Sequence, residues 1–311
     1  MTLPLVSIVT PSFNQAAYLE QTISSVLQQN YPYLEYWVMD GASTDGSPAI
    51  IEKHAHRLAG WVSEKDLGQA DAINKGFTRS SGEIIAWLNS DDLYLPGAVQ
   101  QAVQALQADP GLAMVFADVR SIDSNSKMFN VMRYGDWNLA DLMAFNIIGQ
   151  PGVFMRRSAL EKAGYLDLNY HFLLDHQLWL RVAQQGGMQH ISQELAAARF
   201  HADAKNVAQA ARFGQEAFAI LEWMQSQPGL KALFDTNTRR IQAGAHRINA
   251  RYLLDGGLAA PALQAYGRSL RHHPPTAFRE SHRILYAALA LMGLGRLKDI
   301  YYRLRRGKVN L

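Results

Sequence analysis

The sequence predicts an α/β fold built on a mainly parallel sheet and followed by an all-helical region, and three observations carry that prediction. Short apolar, β-branched runs alternate with helix-period segments through the first hundred residues; each run closes on a polar loop; and beyond about residue 206 helical spacing takes over almost completely. The expected division is 1–205 for the α/β part and 206–311 for a helical C-terminal region, basic at its end.

The elements follow in order. Leu5–Thr10 reads as a strand, closing on Pro11-Ser12-Phe13-Asn14, and Tyr18–Gln29 as a helix with apolar positions at Leu19, Ile23, Val26 and Leu27. Leu34–Met39 is a second strand ending on Asp40, followed by the turn Gly41–Gly46 and a helix over Ser47–Leu58. A third strand, Trp61–Ser63, leads through Glu64–Gln69 into a helix over Ala70–Arg79, and a fourth, Glu83–Leu88, ends on Asn89-Ser90-Asp91-Asp92. In such sheets ligands sit beyond the carboxyl ends of the strands, where Asp40, Glu64 and Asp91 all fall. Further on, the pattern predicts helices over Leu95–Ala108, Ser158–Ala163 and Leu174–Gln185, and strands over Ala113–Val119, Met128–Arg133 and Val153–Arg156. The stretch Ala250–Pro274, with small residues at Gly256, Ala260, Ala262 and Gly267, has the look of one helical hairpin.

Composition excludes whole classes of chemistry. With no cysteine among 311 residues, disulfides, thiolate metal sites and cysteine nucleophiles are ruled out. An apolar share of 48% with 18% charged residues belongs to a globular chain. Met1–Pro11 has no basic segment and Leu5–Val9 is too short for a signal-peptide core, while Ile284–Gly295 falls short of a membrane span, so no membrane-crossing segment is expected; the lack of cysteine fits a reducing cytoplasm, the expected location. The net charge of +3 hides an asymmetry: Arg268–Leu311 holds ten Lys and Arg against Glu280 and Asp299. That tail is either a solvated basic face or a contact for something anionic, such as the inner face of a membrane, with Arg303, Arg305, Arg306 and Lys308 beside apolar Ile284–Leu297.

The residues that carry chemistry stand at strand ends. Asp40 is either a structural acidic strand end before glycine or a carboxylate placed to accept from a base N–H, with Asp45-Gly46 closing the same turn. Asp91 and Asp92 offer adjacent carboxylates suited to Mg²⁺ or Mn²⁺, hard ions that take one or two protein carboxylates plus phosphate and water; the alternative is a helix cap near Pro96. Asp175, flanked with His171 around Phe172–Leu174, is either a helix cap or a general base whose pKa an apolar wall raises. His201 is either a surface residue or an imidazole offered to metal or phosphate. No G-x-G-x-x-G, Gly-Lys-Ser/Thr phosphate loop, G-x-S-x-G or H-E-x-x-H is present, which argues against dehydrogenase, NTPase, hydrolase and zinc-protease readings. No nucleic-acid-binding module accompanies the basic tail.

Taken in order, Val6-Ser-Ile-Val-Thr-Pro-Ser-Phe-Asn14, Asp40-Gly-Ala-Ser-Thr-Asp-Gly46, Ser63–Gly76, Trp87-Leu-Asn-Ser-Asp-Asp92, Gly164-Tyr-Leu-Asp167, Leu174–Arg181 and Arg199-Phe-His201 resemble family 2 glycosyltransferases of the GT-A fold, over about residues 4–205. The resemblance implies that Pro11, Asp40 and Asp66 line a nucleoside pocket, that Asp91 takes a divalent metal with Asp92 and His201 near it, and that Asp175 is the catalytic base. Ser12, Asn14, Asp45, Glu64, Asn74, Asn89 and His171 are the remaining candidates for substrate binding. It further implies a nucleoside-diphosphate sugar donor, UDP first among the bases, a glycan or lipid-linked acceptor, and inversion at the anomeric carbon. Two departures stand out: Asn89 where the family often has Asp, and Leu174 where it often has Glu. They support a rival reading, a nucleotide-sugar-binding protein that no longer catalyses.

Overall fold

The computed structural model describes residues 3–201 and 210–294. The tail residues Arg303, Arg305, Arg306 and Lys308 lie outside them. The chain forms two units: Met1–Asn138 with Ile148–Phe200, and Leu139–Ile147 with His201–Leu311.

The first unit is a sheet with helices. Its strands are β1 (Val6–Ser12), β2 (Leu34–Asp40), β3 (Gly60–Ser63), β4 (Ile84–Trp87), β5 (Leu93–Tyr94), β6 (Leu112–Ile122), β7 (Met128–Met132), β8 (Val153–Arg156) and β9 (Gly187–Arg199). They run in the order β3-β2-β1-β4-β8-β6-β9-β5, with β7 on β6. The half β3-β2-β1-β4 is wholly parallel. Beyond it the sheet is mixed: β8 lies antiparallel to both β4 and β6, while β6 and β9 are parallel. Near-continuous apolar runs make this sheet because both faces are covered; every residue of β1 and β4 is buried.

The helices α1 (Ala16–Leu27), α2 (Ser47–His54), α3 (Gln69–Arg79), α4 (Ala98–Ala108), α6 (Arg157–Ala163) and α7 (Leu174–Val182) occupy the connections of this unit, and α5 (Leu139–Met143) belongs to the second. Alpha3 lies so close to the sheet that a Cβ at Gly76 would come within 2.3 Å of the Val9 side chain. Tyr36, Ile8, Leu19, Ile23 and Val99 are buried in the core on one side of the parallel strands.

Several boundaries differ from the sequence expectation, for identifiable reasons. The segment read as one helix from Leu95 begins at Ala98 because Leu93–Tyr94 pairs with β9 and Gly97 takes φ 80°. The helix expected over Ser47–Leu58 gives way to a 3-10 turn at Ala55–Arg57. Strand β6 runs three residues past Val119, to Ile122, paired with both β7 and β9. The 13-residue β9 was not anticipated: its Leu195-Ala-Ala-Ala198 run has no period of two, and pairing with β6 decides its state.

The second unit contains α8 (Ala210–Ser226), α9 (Pro228–Asp255), α10 (Ala259–His272), α11 (Pro274–Phe278) and α12 (Ser281–Leu291). The stretch Ala250–Pro274 crosses the α9–α10 hairpin, closed by Gly257 at φ 79°. Ala250, Leu254, Ala262, Ala265, Tyr266 and Ala287 form its small core.

Candidate active site

Parallel register aligns three strand ends. Ser12 of β1 pairs with Asp40 of β2, and Asp40 pairs with Ser63 of β3, so the three stand in one row at the carboxyl edge. Asp40 is 3% exposed. Its carboxylate accepts from the Ser43 N–H (2.9 Å), the Ser43 hydroxyl (2.5 Å) and the Ser63 hydroxyl (2.7 Å), and is therefore oriented before any ligand arrives. Ser12 Oγ is buried without a hydrogen-bond partner, and Pro11 is buried beside it. Asp66 folds back over this row. A Cβ at Gly41 would stand 2.6 Å from Asp66 Oδ2 and 3.3 Å from the Phe13 ring, so only glycine allows the approach.

Asn14 and Asp45 knit the two neighbouring loops together. Asn14 N–H donates to Ser43 Oγ (2.8 Å) and its Oδ1 accepts from Thr44 N–H (2.9 Å). Asp45 accepts from the first N–H of α1, at Ala16 (2.8 Å), and from the first N–H of α2, at Ser47 (3.0 Å). Partial burial raises the Asp45 pKa, but the bonds from Ser47 and Ala16 outweigh it and hold the carboxyl below its ordinary value. Both loops contain left-handed residues, Asn14 (φ 51°) and Ala42 (φ 62°). For Ala42 that conformation costs about 1 kcal/mol, which the surrounding bonds must offset. Glu64 is exposed and pairs with Lys75 at 3.3 Å.

The end of β4 carries the acidic pair, and its two members differ. Asp92 is buried; Oδ1 accepts from the Arg199 N–H (2.9 Å) and Oδ2 from Asn89 Nδ2 (3.3 Å). Burial first, and the neighbouring Asp91 second, push its carboxyl well above the ordinary range. Asp91 is half-buried. Neither is a helix cap, since α4 starts at Ala98 behind Gly97. Asn89 Oδ1 accepts from Gln69 Nε2 at 2.8 Å.

Arg199 holds this loop in place, a role the sequence did not disclose. It is 4% exposed. Its Nε donates to the Asp91 carbonyl (2.9 Å), one terminal nitrogen to Asp123 O (3.1 Å), Ser124 O (3.3 Å) and Ser126 Oγ (3.0 Å), and the other to Gln21 Oε1 (2.9 Å). The guanidinium carbon lies 4.7 Å from the Tyr18 ring centroid. A planar five-donor fork is what such a hub requires; the one signal in the sequence was an arginine at the end of the α/β region.

Asp175 lies in the first turn of α7, behind Leu173 in the cap position, and its Oδ1 accepts from the His176 N–H at 2.7 Å. It is half-buried, with Leu174 buried next to it. His171 is exposed. The loop preceding α7 is fixed from two sides: Asn74 pairs its amide with the Leu166 N–H (3.0 Å) and carbonyl (2.8 Å), and Arg181 donates to the carbonyls of Ala163, Gly164 and Tyr165, each at 2.8 Å. Asn74 is thereby a brace of the Gly164–Asp167 motif. Trp87 of β4 stacks on Trp179 of α7 at 5.0 Å, coupling the strand that leads to Asp91 with the helix that bears Asp175. His201 is half-buried and is the first residue of the second unit after Phe200.

Among the described residues, no group of three or more His, Asp or Glu side chains forms a metal-holding cluster. The donor chemistry of the β4 end still fits a hard divalent ion: such an ion needs only one or two protein carboxylates when substrate phosphates complete its shell, and Asp91 supplies one. Asp92, turned inward to Arg199, is not presented in the same way.

This parallel half-sheet with acidic strand ends is the GT-A architecture of nucleotide-sugar transferases, and solved structures bear out the fold. Residues 1–349 of S. aureus TarS, in complex with UDP-GlcNAc, superpose with a TM-score of 0.61 at 16% identity, covering 97% of this chain and 92% of that one. The mannosyltransferase PcManGT from Pyrobaculum calidifontis, in complex with GDP-Man and Mn²⁺, gives 0.62 at 21% identity, covering 93% and 87%. The model of glycosyl transferase family 2 matches residues 7–164, and the chain belongs to that family. In sequence it is 29% identical over 193 residues to TuaG of Bacillus subtilis, named as a teichuronic acid biosynthesis glycosyltransferase, covering 59% of this chain and 73% of that protein. It is 27% identical over 192 residues to the chondroitin synthase of Escherichia coli, covering 61% of this chain and 28% of that much longer one. The protein is a glycosyltransferase.

Proposed function

We propose that the protein transfers a sugar from a nucleoside-diphosphate donor, with UDP as the carrier, to an acceptor hydroxyl of a cell-surface polysaccharide or its lipid-linked precursor, with inversion at the anomeric carbon. The observation that carries this reading is the row Ser12, Asp40, Ser63 at neighbouring strand ends, with Asp66 folded against Gly41. That row offers a buried, pre-oriented carboxylate to a base N–H and an unpartnered hydroxyl beside it. The names of TuaG and chondroitin synthase support a polysaccharide product, and the UDP-GlcNAc bound by TarS supports a UDP donor.

In this reading Asp91 would hold a Mn²⁺ or Mg²⁺ ion, which would supply positive charge to neutralise the leaving diphosphate. Asp175 takes the proton of the acceptor oxygen as that oxygen bonds to the anomeric carbon and the bond to the nucleotide breaks. Arg199 keeps the Asp91 loop in register with the donor, and Asn74 and Arg181 keep the loop ahead of Asp175 in place. General-base help of this kind contributes about 10²–10⁴-fold. A panel of nucleotide sugars, each offered with soluble glycan acceptors, tests the proposal: transfer from one donor is expected, reduced at least about 100-fold in Asp175→Asn with donor binding retained. Tight donor binding by the unaltered protein with no transfer to any acceptor would instead favour the non-catalytic reading that Asn89 and Leu174 suggested. The protein is further proposed to work in the cytoplasm, against the inner membrane face.

A further inference from the structure

In the second unit the exposed apolar side chains and the charge pattern point the same way. Phe278, Leu285, Leu291, Met292 and Leu294 are 62%, 61%, 54%, 65% and 45% exposed. Leu285 and Met292 are seven residues apart on and just past α12, which puts them on one helix face two turns apart. The opposite side of α12 is already used, since Ala287 is buried in the small helical core. Single exposed leucines mean nothing, but Leu285, Leu291, Met292 and Leu294 follow one another along and just past α12, and large apolar side chains concentrated on one exposed helix mark an interaction site.

Charge selects the partner. From Gly256 to Lys298 the sole acidic residue is Glu280, and it is 4% exposed. Its carboxylate is enclosed by Arg247 at 2.7 Å, by Arg251, and by the Tyr266 hydroxyl at 2.7 Å. The charge this stretch shows to solvent is therefore of one sign, from Arg268, Arg271 and Arg279, all exposed. The residues that follow, Arg296 to Lys308, add six basic residues against Asp299. A second copy would bring like charge to like charge across a symmetric interface, and the chain's own basic tail would do the same. Among the described residues no helix is long and apolar enough to cross a membrane. A surface that combines exposed Leu, Met and Phe with basic residues suits the headgroup boundary of an anionic bilayer.

We propose that the α12 face, with Phe278 and Leu294 at its ends, seats the protein on an anionic lipid surface. This deepens the membrane-side placement proposed above by naming the residues that make the contact. The test is co-sedimentation of the full-length protein with phosphatidylcholine vesicles with and without phosphatidylglycerol, in the absence of nucleotide. The unaltered protein should bind only the anionic vesicles, and added salt should weaken binding. Leu285→Glu/Met292→Glu should lower the partition coefficient roughly tenfold or more, and Arg271→Gln about fivefold, with unchanged helical circular dichroism and donor binding. Binding that ignores lipid charge, or that survives Leu285→Glu/Met292→Glu in a folded protein, would overturn the proposal, as would self-association of the unaltered protein through the same residues. Because no nucleotide is present, this outcome is independent of whether the donor reading holds.

Discussion

The strand-end loops of the first unit and the helix bundle of the second dispose of their polar groups in opposite ways. At the edge of β1, β2 and β4, each carboxylate is tied separately to loop and strand-end groups: Asp40 to Ser43 and Ser63, Asp45 to Ala16 and Ser47, Asp92 to Arg199 and Asn89. In the bundle one buried acid among the described residues, Glu280, gathers Arg247, Arg251 and Tyr266, while Arg247 also donates to the Phe145 carbonyl at 2.7 Å. The first arrangement fixes geometry at the edge where the donor is proposed to bind, and one lost bond is expected to be felt mainly in function. The second closes a core, and one lost partner is felt mainly in stability.

Substitutions can break that comparison, beginning with the largest effect. Glu280→Ala would leave Arg247, itself buried, and Arg251 without their counter-charge, and should cost about 3–5 kcal/mol in urea unfolding. Burial alone would raise the Glu280 pKa, but Arg251 and Arg247 outweigh it and bring it down to about 2. Because the folded value lies below the unfolded one, this stabilisation is complete above the ordinary Glu range and is lost as pH falls from about 4.5 toward 2; unfolding midpoints followed over that window should drop, and should do so far less in Glu280→Gln. Arg199→Ala removes a buried fork from five acceptors and should lower stability by about 3 kcal/mol and transfer rate more steeply than Glu280→Gln does. Gly41→Ala should leave unfolding nearly unchanged while raising the donor KM roughly tenfold, about 1.4 kcal/mol, because Asp66 must move away. Asp45→Ala, which frees the first N–H of two helices, should cost about 1 kcal/mol of stability. If Gly41→Ala destabilised the fold as much as Glu280→Ala, the contrast between the two regions would fail.

What the sequence made legible divides along the same line. Strand ends could be placed because an apolar run stopping at Asp40 or Asn89 is a local signal, and the ordered motifs pointed to the family that the comparison with known proteins then bore out. Contacts between distant positions were not legible. Asn74 meets Leu166 across 92 residues, and Arg199 meets Asp91 across 108; nothing in the local pattern of either segment encodes the partner. Strand β9 was missed for the same reason, since its state is set by β6 and not by its own alanine run. The division between Asp91 and Asp92 was also hidden, because adjacent carboxylates read alike until a backbone N–H claims one of them.

In the proposed reaction Asp91 is the residue that would join the donor diphosphate to a divalent ion. Calorimetric titration of a UDP-sugar into the protein, with Mn²⁺ or Mg²⁺ and then with chelator, compared with Asp91→Ala, addresses it directly. Binding that requires the metal and disappears in Asp91→Ala is the predicted result; equal affinity with and without metal, unchanged by Asp91→Ala, would contradict it.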